Sequence, residues 1–387
     1  MSSLPSRILQ STFDFGSNSS ESVVRTIFDS VGIEIGGQKK HDIRVRDPRF
    51  YSRILRDGSM GFGESYMAGW WDTDALDETL VKLGRADVNT VMRQNWQMIP
   101  QALKARLLNM QRGDNAFDVA ERHYDLGNEL YTAMLDDRMV YTCGYWRNSD
   151  DLDSAQEAKL DLVCRKIGLC EGMSVLDLGC GWGSFAKFAA ERYGAKVTGV
   201  TISKEQVELG RHRCAGLPVD IRLQDYRDVT GSYDAVISIG IMEHVGAKNY
   251  RTYVKLVDSC LAPDGVAFVH TIAGNRSRRD IEPWIHKYIF PNAVLPTIAQ
   301  LGAALEGTFV LEDVHNFGPD YDRTLMAWDK NFRAAWPQLK ARYDERFFRM
   351  WRYYLCMSAA GFRSRQLQLY QLVLTRIGTP QRDFRLS

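Results

Sequence analysis

Residues 174–201, SVLDLGCGWGSFAKFAAERYGAKVTGVT, constrain this chain more than any other segment. An apolar run, SVLDLG, ends in closely spaced glycines. A stretch of helical period, SFAKFAAERY, follows, and then a second apolar run, AKVTGVT. A strand, a tight turn, a helix and a strand in this order form a crossover unit, which places the two strands parallel in one sheet. The pattern continues downstream. KEQVELGRHRC and KNYRTYVKLVDSCL read as helices, and PVDIRLQ, YDAVISIG and VAFVHTI as strands. VHNFG and QLVLTR read as late edge strands. Strands alternating with helices predict an α/β fold with a doubly wound, mainly parallel seven-stranded sheet.

The glycines of Asp177-Leu178-Gly179-Cys180-Gly181-Trp182-Gly183 permit a tight strand-to-helix turn and close approach of the backbone to a ligand. The following helix start offers free N–H groups. A dinucleotide site has glycines in the same place, but wants an acidic residue at the end of the second strand for the ribose. Thr201-Ile202-Ser203 stands there instead. That turns the loop away from nicotinamide, although the commonest methyltransferase pattern also has an acid at this point; the G-x-G-x-G spacing preceded by Asp177 is read as a site for S-adenosylmethionine. Thr201, Gln206 and the Asp225-Tyr226 step after the third strand are candidates for holding the adenosine. The plain alternative is a glycine turn that binds nothing.

With 387 residues the chain is long enough for two domains. Residues 1–110 read as a small, mostly helical N-terminal domain. Residues 111–120, beginning QRGDNAF, read as a linker, and 121–387 as the catalytic domain. Residues 273–300 are too long for an ordinary connection and read as a lid or substrate element. A net charge of +1 argues against a nucleic-acid partner. Seven dispersed cysteines, without metal-like pairing to the histidines, fit free thiols in a reducing compartment. No apolar leader and no run of roughly 20 apolar residues is present, so the expectation is a cytoplasmic protein.

DLGCGWGSFAKFAAERYGAKVTGVTISKEQ, ISIGIMEHVGAKNY, HTIAGN and HNFGPDYDRTLMAW together resemble the bacterial cyclopropane-fatty-acyl-phospholipid synthases. HYDLGNELYTAML, YTCGYW and GESYMAGWW extend the resemblance, which spans about residues 40 to 385. It implies a class I methyltransferase-like fold and methylene transfer from S-adenosylmethionine to a cis double bond of an unsaturated phospholipid acyl chain. It also implies a homodimer working peripherally on the inner face of a membrane, and a bound bicarbonate as proton acceptor.

By the same resemblance Cys143, Glu243, His270 and Tyr321 surround the bicarbonate, with the backbone carbonyl of Ile272 in reach. Glu243 would accept from its O–H, and His270 and Tyr321 would donate. Tyr141 and Thr142 would close over the donor, whose other contacts are Gly179, Gly181, Thr201, Ile202, Gln206 and Tyr226, with Asp177 and Asp225 as further candidates. From the residues alone, Cys143 could equally be core, Glu243-His244 an ordinary helix-start pair and Tyr321 packing in a polar turn. Tyr145, Trp146 and Phe317 could stabilise a cation through their π faces. Cys356, in RYYLCMSAAGF, reads as buried packing. Arg276, Arg278 and Arg279 beside Trp284, Ile289, Phe290 and Leu295 could dock on a lipid surface, or form a solvated loop over a helix. The rival functions are a methyltransferase for a small soluble acceptor and a non-catalytic lipid-binding protein.

Overall fold

Apolar runs alternate with helical-period segments from residue 174 onward because the central sheet is covered on both faces. The computed structural model describes residues 18–86, 127–278 and 281–384. The chain divides into two compact units, Met1–Asp114 and Asn115–Ser387. The proposed linker at 111–120 lies outside the described residues, as does most of the helical reading beyond residue 86.

In the first unit, α1 (Asn18–Ser30), α2 (Arg49–Met67) and α3 (Leu76–Arg85) surround a two-stranded ribbon, β1 (Arg44–Val45) and β2 (Trp71–Asp72). VGIEIGGQ forms no strand and contributes one bridge, Ile35 to Ile43. Phe28, Phe50, Phe62 and Trp71 pack into an aromatic core, with Phe62 stacked on Trp71 at 4.2 Å.

The second unit opens with α4 (Gly127–Met134) and α5 (Leu152–Lys166). Then come β3 (Ser174–Leu178), α6 (Ser184–Tyr193), β4 (Lys196–Thr201), α7 (Lys204–Arg213), β5 (Val219–Leu223) and β6 (Tyr233–Ile239). A one-turn helix α8 (Met242–Val245), α9 (Tyr250–Cys260) and β7 (Leu261–Gly274) follow. The chain finishes with α10 (Pro283–Tyr288), α11 (Ile298–Leu305), β8 (Phe309–Asn316), α12 (Gly318–Leu339), α13 (Glu345–Arg363) and β9 (Leu367–Arg376). The seven strands lie in the order β5-β4-β3-β6-β7-β9-β8. All adjacent pairs from β5 to β7 are parallel, and β9 runs antiparallel to both neighbours.

Alternation along each strand divides the core. Val175, Ile237, Phe268 and Val373 enter the layer that α5 and α6 cover. Leu176, Val236, Ala267 and Leu372 enter the layer under α9 and α11. The expectation of two late edge strands needs correction. β8 is the edge, but QLVLTR belongs to β9, which lies between β7 and β8 and is buried along most of its length. An apolar run without alternation marks a strand covered on both faces, and edge strands avoid that exposure.

Lys166 at the end of α5 reaches Asp313 of β8 at 3.1 Å, with both side chains 2% exposed. Removing one member of a buried pair leaves the other desolvated. Lys166→Met should therefore lower the free energy of unfolding in urea by about 3–5 kcal/mol, and Lys166→Met/Asp313→Leu should recover most of the loss.

Candidate functional site

β3 and β6 are neighbours, yet β3 continues toward β4 and β6 toward β7. The connections leave to opposite sides, so a crevice opens beyond the carboxyl ends of these strands. Two glycines line it. Gly179 has φ 73°, and a Cβ there would collide with the Ile241 side chain. Gly240 has φ 79°, and its Cβ would lie 3.2 Å from Thr142 Cγ2. The N–H groups of Gly179 and Cys180 both donate to the Val200 carbonyl, at 2.9 and 3.0 Å, which folds the loop back onto β4. Gly181 continues the turn into α6.

At the end of β4, the Thr201 hydroxyl donates to Gln206 Oε1 at 2.7 Å. Ile202 is 76% exposed, an apolar side chain left open beside the glycine loop. Asp225, after β5, accepts the Arg227 backbone N–H at 2.9 Å and its guanidinium at 2.6 Å, which holds its carboxyl below the usual range. Tyr226 packs edge-on to Tyr253. Asp177 stands apart from the strand-end residues. It lies buried within β3, where desolvation pushes its carboxyl up to about 7, partly offset by the Lys159 cation.

Residues 136–146 form a strap held from below. Asp136 accepts the Val140 N–H at 2.8 Å and the Arg138 N–H at 3.0 Å. Gln156 donates to the Thr142 carbonyl at 2.7 Å, and Lys159 Nζ to the Thr142 hydroxyl at 3.0 Å. The Tyr141 and Tyr354 hydroxyls share a hydrogen bond of 2.9 Å, and the Tyr141 ring packs against Tyr131 and Trp328. Lys159 is buried, and desolvation pulls its ammonium down to about 8 against the attraction of Asp136, Cys143 and Asp177. The sequence reading missed Gln156 and Lys159. Their signal was available: both lie at helical spacing with Leu152, Leu160 and Val163, so polar groups occupy the buried stripe of α5.

Cys143 and Glu243 both lie near enough to act on the Tyr321 hydroxyl, and His270 enters on β7 two residues before Ile272, whose N–H Glu243 accepts. Cys143 is fixed by α12, whose Thr324 hydroxyl accepts the Gly144 N–H at 3.1 Å and the Trp146 indole N–H at 2.9 Å. Burial pushes the Cys143 thiol well up, so it stays protonated and is a poor nucleophile. Tyr321 is buried one turn into α12, not in a polar turn. Phe317 donates its N–H to Leu369, which ties the helix start to β9 and aims the first turns of α12 inward. Burial pushes the Tyr321 hydroxyl far up, and the groups that add to the shift are Tyr354, Cys143 and Glu243.

Glu243 lies on α8. Its Oε1 accepts the Ile272 N–H at 2.6 Å, and its buried Oε2 has no partner among the described residues. Burial pushes this carboxyl up to about 7, against its own N–H, that of Ile272 and the Thr271 hydroxyl. The Ile272 carbonyl accepts from the Thr271 hydroxyl at 3.0 Å. His270 is buried on β7, and desolvation, reinforced by Lys159 and Lys166, holds it well below the ordinary histidine range. Its Nδ1 lies 3.3 Å from Gln371 Nε2, while its Nε2 has no partner among the described residues. Phe317 packs edge-on to His270 and to Tyr145. Trp146 differs from these aromatics, because the Arg323 guanidinium already covers its ring at 4.6 Å.

The 273–300 segment packs onto this cluster. The Val294 N–H donates to the Glu243 carbonyl at 2.8 Å, and Phe290 packs against Tyr354 and His244. Trp284 and Ile289 are buried, with Trp284 against Tyr353 and Tyr288. Of the two readings of this segment, these residues follow the loop over a partly buried helix, since their apolar surface is already covered by protein. Arg276 and Arg278 are exposed, and Arg279 lies outside the described residues. Cys356 is core.

The sequence profile of the mycolic acid cyclopropane synthetase family matches residues 111–372. The chain belongs to this family. It is 47% identical over 354 residues to the cyclopropane-fatty-acyl-phospholipid synthase of Escherichia coli (strain K12), covering 92% of this chain and 93% of that one. It is 36% identical over 352 residues to a tuberculostearic acid methyltransferase of Mycobacterium tuberculosis, covering 85% of this chain and 81% of that one. The crystal structure of a mycolic acid cyclopropane synthase complexed with SAH and CTAB superposes with a TM-score of 0.62 at 29% identity, covering 68% of this chain and 99% of that one. The family is S-adenosylmethionine-dependent, which makes the crevice beyond β3 and β4, with the 136–146 strap at its side, the candidate place for the donor.

Lys159→Met removes the donor that holds Thr142 and leaves two buried carboxyls without their cation. Its dissociation constant for S-adenosylhomocysteine, measured by calorimetry, should rise about tenfold. An unchanged constant would detach the strap from donor binding.

Proposed function

We propose that this chain transfers a methylene group from S-adenosylmethionine across the cis double bond of an unsaturated phospholipid acyl chain, giving a cyclopropane fatty acyl phospholipid. The observation that carries this reading is a buried acceptor, Glu243 Oε2, and a buried imidazole nitrogen, His270 Nε2, both unpartnered among the described residues and close to the donor crevice. Methyl transfer to nitrogen or oxygen also sheds a proton, and the 47% identity to a cyclopropane-fatty-acyl-phospholipid synthase is what favours an alkene acceptor. The alkene is a weak nucleophile. It attacks the sulfonium methyl, S-adenosylhomocysteine leaves, and a carbocation remains on the chain. The new methyl loses a proton, and the electrons of that C–H bond close the ring.

The protein must keep its own nucleophiles from the cation. Burial does this by holding the Cys143 thiol and the Tyr321 hydroxyl protonated. Tyr145 and Phe317 offer π faces near His270, each contributing about 0.5–2 kcal/mol toward a nearby cation. The two unpartnered buried atoms fit a small anion that both donates and accepts. Bicarbonate would be held by Glu243 Oε2 and His270 Nε2, with Tyr321 and Cys143 alongside, and would supply the weak base for the departing proton.

The acyl chain belongs to a bilayer, and no described helix is long and apolar enough to cross one. We assign the contact to peripheral docking on the cytoplasmic face. Arg276, Arg278 and Arg279 would meet lipid phosphates, at about 1 kcal/mol for each basic residue near an anionic surface. The N-terminal domain would serve lipid access and homodimerisation, and a dimer would strengthen docking by avidity.

Incubation with S-adenosylmethionine and vesicles of unsaturated phospholipid should add one CH2 to the acyl chain, with loss of alkene protons and appearance of ring protons by NMR. A methyl-branched or unmodified chain would overturn the reading. Glu243→Gln should reduce turnover by about 10²-fold while S-adenosylhomocysteine binding stays near normal. Because the Glu243 carboxyl titrates at about 7 and must accept, turnover should decline as the pH is lowered below that value, by up to about tenfold per pH unit. A flat profile through neutrality would remove Glu243 from this role.

A further inference from the structure

We propose that Gln371 is a positioning residue that fixes the tautomer of His270, so that Nε2 carries the ring proton and acts as a donor in the polar cluster. His270 of β7 and Gln371 of β9 are directly opposed in the antiparallel register, so their side chains share one face of the sheet. Both are buried. The Gln371 Nε2 atom lies 3.3 Å from His270 Nδ1. An amide NH2 can only donate, so the nitrogen facing it must keep its lone pair. A neutral imidazole has one N–H, which is then left on Nε2. The charged groups felt by the ring, Lys159 and Lys166, both oppose a second proton. The Phe317 ring, edge-on to the imidazole, carries no charge.

Packing does not account for a glutamine here. Gln371 interrupts the apolar run of β9, and its buried Oε1 has no partner among the described residues. An unsatisfied buried amide oxygen disfavours folding, and a leucine would avoid it. What the amide supplies is the direction of its other end. With Nε2 a donor and Glu243 Oε2 an acceptor, the cluster offers complementary groups to a ligand that has both a hydroxyl and an oxyanion. The consequence for turnover rests on the function proposed above; the tautomer does not.

The test uses the full-length protein labelled with 15N-histidine, with His270 assigned by the signals lost in His270→Gln. At neutral pH the native spectrum should show Nε2 protonated and Nδ1 bare. A protonated Nδ1 or an imidazolium would overturn the proposal. Gln371→Leu keeps the size and removes the donor, and should give mixed tautomers. Its kcat should fall about tenfold with the S-adenosylhomocysteine dissociation constant unchanged. A native-like single tautomer in Gln371→Leu would also overturn the proposal. Gln371→Glu, which keeps the strand polar, should move the proton to Nδ1 and so reads the same contact if the leucine variant does not fold. If both spectra behave as expected and kcat is unaffected, the tautomer assignment stands and the function assigned to the cluster fails.

Discussion

The reversal of strand order between the parallel neighbours β3 and β6 is the constraint on which the site depends. Parallel strands buried on both faces must send their connections over one layer or the other, and only where the layers change does the strand-end surface stay open. Gly179 and Gly240 sit at that change, and neither tolerates a side chain without displacing Ile241 or crowding Thr142. The rest of the site is arranged around the opening. The strap at 136–146 lies along one side, and Glu243 follows one turn after Gly240. His270 comes to the same end because its strand pairs in register with β6, as Ile239 opposite His270.

Burial then sets the chemistry. Desolvation is the largest influence on Asp177, Cys143, Glu243, His270, Tyr321 and Lys159. In each case it favours the neutral form. A site that forms a carbocation benefits from this, because a thiol and a phenol that keep their protons compete poorly with loss of a proton from the substrate. Lys159 carries the opposing requirement. It retains enough attraction from the Asp136 and Asp177 carboxyls to remain close to its charged form at neutral pH, and its ammonium bonds the Thr142 hydroxyl of the strap.

The fold was legible because its signals are local. Apolar runs, helical periods and glycine turns report burial and dihedral angle residue by residue, and they gave the order of elements from β3 to β7. They could not place β9, since an apolar run does not say which strands flank it. Trp284 and Ile289 left two readings open for a related reason. An apolar residue in a long insertion has the same pattern whether lipid or Tyr353 covers it. Gln156, Lys159 and Gln371 left weaker marks, each a polar residue on an otherwise buried face.

The sequence by itself determined the doubly wound sheet, the glycine crevice and the family, because these follow from periodicity and from motifs written in consecutive residues. It also placed Glu243 and His270 at strand ends, where the architecture gathers functional groups. Only the tertiary structure decided which atoms of those residues remain unpartnered, that Tyr321 enters from a helix, and that Gln371 faces the His270 ring. Those outcomes depend on register across strands distant in sequence and on desolvation by surrounding layers, and neither quantity is encoded in any one segment of the chain.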